Sequence, residues 1–176
     1  MKIHMQSKIV YIIPALGDSC SLQKYQKIGS VFILKGYKVN YINPDWYKPL
    51  SGEIFKVEKN AVLFGFSFGA VLAYLIAKKY PCRKVFFASL SPIHSFSYKS
   101  LVKDFSEHMS KEKAEELSAD IKKIKVNLGS LKTPYVTIAG ELEKLAKGEK
   151  VADILVPKTG HQINSHYLNA LNKILE

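Results

Sequence analysis

A chain of 176 residues, 47 % hydrophobic and 23 % charged, has the size and composition of one globular domain, not of a disordered or low-complexity protein. Its net charge of +11 is uneven: residues 1–98 hold 13 Lys/Arg against 4 Asp/Glu, residues 99–133 hold 8 against 6, and residues 134–176 hold 5 against 5. The lysines are scattered without an aromatic–basic stripe, which argues against nucleic acid as a partner, and no segment approaches the roughly 20 apolar residues needed to span a bilayer.

Short apolar runs alternate with stretches of helical period, the pattern of βα units around a parallel sheet. Residues 1–6 read as a tail. Lys8–Leu16 is a strand buried on both faces. With Lys2 ahead of it the run imitates a signal peptide, but it contains Pro14 and no small-residue cleavage site follows. The expected location is therefore cytoplasmic. Leu22–Leu34 carries apolar residues at helical spacing and stops at Gly36, as a glycine C-cap requires. Lys38–Ile42 is the second strand, and residues 46–58 hold one short helix. Ala61–Phe66 is the third strand, followed by a helix over Phe68–Tyr80 that is apolar nearly all round and closed by Pro81. Lys84–Leu90, Pro134–Ala139 and Val151–Val156 supply three more strands, and Ser165–Leu175 a closing helix. Ser91 to Thr133 exceeds a simple crossover. In it Ser110 caps a helix running to Ile124, and Phe105 and Met109 mark a shorter one before it. Residues 93–131 are thus a helical insertion, either an elongated crossover or a small lid.

Cys20 and Cys82 make no CxxC pair and no Cys/His cluster, so both are expected as free buried thiols, with no metal and no cofactor. The informative segment is Gly65-Phe66-Ser67-Phe68-Gly69, set between a strand and an apolar helix. Such a turn lifts a serine hydroxyl above the sheet edge at the positive end of the helix, and its crowding demands small flanking residues. A nucleotide site is disfavoured because Phe66 and Phe68 would obstruct a phosphate and no acidic residue follows about 20 positions on. A serine needs a base, and imidazole titrates near neutral pH. His4 lies in the tail, His108 in the charged insertion and His166 on the last helix. His94 follows the fourth strand, where it would line the cleft. His161 sits just past the sixth strand.

Gly65–Pro81 resembles the nucleophile elbow and following helix of the α/β-hydrolase superfamily. Val85–Pro92 resembles its next strand with a trailing Ser-Pro, Pro134–Glu143 the strand that ends in a Gly-x-x-acid turn, and Lys158-Thr159-Gly160-His161 the loop that presents the catalytic histidine. The resemblance covers the chain except residues 93–131 and keeps the order Ser, acid, His. It implies a single α/β-hydrolase domain over residues 1–176, with about six mostly parallel strands, helices on both faces and a small or absent lid. It implies Ser67 as nucleophile, His161 as base and Glu143 as acid, Glu141 being the alternative. The oxyanion donors would be the backbone N–H groups of Leu16 and Phe68, with Phe66 near the substrate; Asp18 reads as turn chemistry in the same loop, close enough to touch a substrate. The activity implied is cleavage of a small-molecule acyl ester or thioester through an acyl-serine. The basic first half would suit an acidic carrier of the acyl group. The other reading is a catalytically silent hydrolase-fold binding protein.

Overall fold

The computed structural model describes residues 8–93, 96–107, 109–143 and 152–175. Strands β1 (Lys8–Ile13), β2 (Tyr37–Tyr41), β3 (Val62–Phe66), β4 (Lys84–Ala88), β5 (Tyr135–Gly140) and β6 (Ile154–Val156) form one parallel sheet in the order β2-β1-β3-β4-β5-β6. Helices are α1 (Gln23–Leu34), α2 (Phe68–Lys79), α3 (Tyr98–Ser106), α4 (Lys111–Lys123) and α5 (Ser165–Ile174). Successive strand residues point to opposite faces, and both faces are apolar. Val10, Ile12, Phe64, Phe66 and Phe86 pack with Tyr25, Ile28 and Phe32 of α1 and Tyr167 and Leu171 of α5. Ile13, Leu63, Val85 and Phe87 pack with the buried face of α2.

Three strands are shorter than the apolar runs that encode them. β1 stops at Ile13 because Pro14 has no N–H to offer a neighbour. β4 stops at Ala88 because Ser89 turns left-handed, with φ at 48°. β6 begins at Ile154, and Val151 lies outside the described residues. The short helix expected within 46–58 is a single 3-10 turn at Leu50–Glu53.

Between β4 and β5 the chain forms α3 and α4, whose first turns are capped by the Ser97 and Ser110 side chains. Leu101, Phe105, Ala114, Leu117 and Ile121 join the core on the α2 side. Asp120 accepts the Leu50 N–H at 2.9 Å, and the Tyr74 hydroxyl accepts the Asn127 N–H at 3.2 Å. Both contacts tie the insertion to α2 and the segment before β3.

The chain runs from β1 outward to β2, then returns to place β3 on the other side of β1. The loops after β1 and β3 therefore diverge from neighbouring strand ends, where open α/β sheets form their binding crevice.

Candidate active site

Ser67 closes β3 and opens α2 with φ at 56° and ψ at −117°, a backbone that non-glycine residues rarely adopt. Its neighbours make the turn sterically feasible. A Cβ on Gly65 would meet the Gly69 carbonyl and the Ala70 Cα, and one on Gly69 would meet the Ile13 and Pro14 carbonyls at the end of β1. The Ser67 N–H donates to the Ala88 carbonyl at 2.8 Å, fixing the turn to β4.

Two further loops reach Ser67. His161 Nε2 lies 2.8 Å from Ser67 Oγ, and His161 Nδ1 lies 3.0 Å from Glu143 Oε2. An ionised carboxylate only accepts, so Nδ1–H donates to Glu143 and the Nε2 lone pair faces the serine hydroxyl. Burial alone would raise the Glu143 carboxyl. Hydrogen bonds from His161, Ser89 and the Gly140 N–H outweigh it and hold the group below its usual value. Its side chain is 11 % exposed, against 51 % for His161. The Glu143 carboxylate is thus sheltered while the imidazole is partly open to solvent.

Glu141, the alternative acid, points elsewhere: its Oε2 accepts the Lys158 N–H at 3.0 Å. Phe66 does not line the cleft as expected. It is 2 % exposed, and its ring sits 5.2 Å from the His161 ring, supporting the imidazole from the core side. His94 lies outside the described residues.

The Pro14–Asp18 loop is pinned by side chains. The Tyr25 hydroxyl accepts the Ala15 N–H at 2.8 Å and donates to Asp18 Oδ2 at 2.7 Å, and Lys24 pairs with the same carboxylate oxygen at 2.6 Å. Asp18 is therefore committed to the loop and not held out toward a substrate. The Asp18 carbonyl accepts the Trp46 indole N–H at 3.4 Å, and the Trp46 ring stands 5.9 Å from that of Phe68. The Leu16 N–H has no partner among the described residues. The Phe68 N–H is at the first position of α2, where helix geometry supplies none.

Sequence reasoning missed Tyr25, Trp46 and Ser89. Each is an ordinary residue type whose role comes from contacts with residues outside its own element, and no motif pointed to any of them. Cys20 and Cys82 are buried and free, and burial pushes the Cys20 thiol up to about 11, so it stays protonated. Among the described residues no group of three or more His, Cys, Asp or Glu is gathered to hold a metal ion, and no helix is long and apolar enough to cross a membrane.

The six-stranded parallel sheet with its flanking helices has counterparts among solved structures. MGS-MChE2, an α/β-hydrolase from the metagenome of lagoon sediments at Mar Chica, Morocco, matches with a TM-score of 0.66 over 97 % of this chain and 89 % of its own, at 20 % identity. The chain has the α/β-hydrolase fold. ClbQ of the colibactin NRPS/PKS pathway shares the fold over 97 % of this chain and 96 % of its own, at a TM-score of 0.56 and 15 % identity. RedJ, a thioesterase of the prodiginine pathway in Streptomyces coelicolor, covers 97 % and 85 % at a TM-score of 0.52 and 13 % identity. No protein-family profile and no curated protein matches the sequence.

Proposed function

We propose that this hydrolase-fold chain is a serine hydrolase that cleaves a carboxylic ester or thioester through an acyl-Ser67 intermediate. The observation that carries the reading is the unbroken relay from Ser67 Oγ through His161 to Glu143, at 2.8 and 3.0 Å, built from three loops distant in sequence. His161 Nε2 takes the Ser67 proton as Oγ bonds to the substrate carbonyl carbon. Glu143 accepts from Nδ1–H and stabilises the imidazolium. The carbonyl oxygen, now an oxyanion, is received by the Leu16 and Phe68 N–H groups, each donor worth about 3 kcal/mol. The leaving alcohol or thiol departs with the proton held by His161. A water then gives its proton to His161 and attacks the acyl carbon, releasing the acid and restoring Ser67.

The thioester branch draws support from RedJ, a thioesterase of the same fold. An acidic carrier as acyl donor draws support from the +9 surplus of residues 1–98, the half that holds the elbow and the Pro14–Asp18 loop. The test is labelling with a fluorophosphonate probe, followed by peptide mass spectrometry. Ser67 should carry the label, and Ser67→Ala should lose it together with turnover of p-nitrophenyl acetate and an acyl thioester, by on the order of a millionfold. A folded wild-type protein that neither labels nor turns over would return the chain to the silent binding reading.

A further inference from the structure

The triad's acid has two oxygens, and only one faces the histidine. Glu143 Oε2 meets His161, whereas Oε1 accepts the Gly140 N–H at 2.7 Å and the Ser89 hydroxyl at 2.6 Å. Ser89 is 1 % exposed and sits immediately after β4, the strand beside the elbow. Its φ of 48° falls in a region occupied by a few per cent of non-glycine residues. Its N–H donates to the Ile138 carbonyl at 2.6 Å, so the backbone is held at the sheet edge while the side chain turns toward the acid loop. A serine hydroxyl has one proton to give, and here it goes to the carboxylate. That geometry and the burial exclude Ser89 as a nucleophile.

We propose that Ser89 is a positioning residue for the acid: its hydroxyl holds Glu143 in the rotamer that presents Oε2 to His161 Nδ1. The inference rests on the serine-hydrolase reading above. A carboxylate held at one oxygen by Gly140 alone can swing about that bond. A second donor from another strand removes the freedom. Charge-assisted bonds of this length are the strong ones. The effect on catalysis passes entirely through Glu143, because Ser89 is too deeply buried to meet a substrate.

That dependence gives the test. Ser89→Gly removes the hydroxyl and suits the left-handed backbone, which offsets part of the stability lost with the hydrogen bond, so the protein should still fold, as its circular dichroism would show. Ser89→Ala repeats the deletion with the Cβ retained. Both should lower kcat on p-nitrophenyl acetate roughly 10- to 100-fold, the range for a lost hydrogen bond to a charged group, with KM little changed. In a Glu143→Gln background the same substitutions should change kcat by about twofold or less, because residues acting through one another do not add. Wild-type kcat in both Ser89 variants would overturn the proposal, as would the full loss multiplying onto Glu143→Gln. Wild-type protein that fails to label at Ser67 would remove the hydrolase reading and this inference with it, an outcome distinct from a labelled enzyme indifferent to Ser89.

Discussion

Tyr25→Phe isolates what the Pro14–Asp18 loop contributes to turnover. The substitution keeps the ring, which is fully buried and packs edge-on at 6.5 Å from Phe66, so no cavity opens. It deletes only the hydroxyl, whose pKa burial pushes far above the ordinary phenol value, leaving it a permanent donor. Two bonds go: the one accepted from Ala15 N–H and the one donated to Asp18. An N–H stranded in a part-buried site costs about 1–3 kcal/mol. The Asp18 bond is worth less, because that carboxylate is 23 % exposed and keeps Lys24. A net loss of about 2 kcal/mol should lower Tm by about 4–8 °C in a chain of this size. The same change frees the segment carrying the Leu16 N–H. We expect kcat for p-nitrophenyl acetate to fall about tenfold with KM unchanged, short of the 10²–10³ that follows deletion of a donor. A lowered Tm with undiminished kcat would refute the reasoning and show that the loop does not hold an oxyanion donor.

Glu143→Gln should reduce kcat by about 10⁴, by leaving the imidazole without an anionic partner, whereas Glu141→Gln should be mild because an amide oxygen can still accept the Lys158 N–H. The reverse ranking in steady-state kinetics would move the acid two residues upstream. Glu143 is held below the ordinary carboxyl value, so its ionised pairing adds stability above about pH 4 that is lost as pH falls through the depressed value. A Tm–pH curve for Glu143→Gln should lose that part of the acid-side slope, and curves of the same slope would count against the pairing. If the +9 surplus of residues 1–98 steers an acidic acyl carrier, kcat/KM for the carrier-bound substrate should fall as salt rises from about 50 to 500 mM while a neutral short ester barely responds. Equal salt responses would remove the steering idea.

Periodicity exposed the sheet because its strands are short, the central ones are apolar on both faces, and turns bound them. The five-residue elbow was legible because its glycines answer to local crowding against Ala70 and the end of β1. Strand ends were overrun where the apolar run continues past the hydrogen-bonded ladder, as at Pro14 and Ser89. The resemblance put the expected acid at Glu143 with Glu141 as the alternative, and the two lie in the same turn. Their separation depends on which carboxylate meets Lys158 and which meets Ser89, contacts 17 and 54 residues away in sequence. Phe66 read as a cleft residue for a similar reason. Its place in the motif says it is near the serine, but only the strand's pleat says which side of the sheet its ring occupies.

The acid and histidine loops behave as one piece because their backbones are bonded to each other. Glu141 N–H donates to the Val156 carbonyl at 2.9 Å, and Leu142 N–H donates to the Thr159 carbonyl at 2.8 Å. Gly140 permits the approach: a Cβ there would meet the Thr159 and Gly160 carbonyls. The Glu141 carboxylate adds a third tie at Lys158, whose φ of 53° turns the chain toward His161. The imidazole loop after β6 is therefore braced by the turn after β5 that carries Glu143, and movement of either loop moves both. Ser67 is placed by β3, β4 and the end of β1, and β4 is itself paired with β5, the strand that leads to Glu143. The bond from Ser67 Oγ to His161 Nε2 is the joint between the serine turn and the two bonded loops. Ser89 spans the same joint: it grows from β4, which braces the serine, and its hydroxyl reaches the acid on the bonded loops. Loss of the Ser89 hydroxyl, with both loops intact, should therefore weaken the relay at the Glu143–His161 bond first.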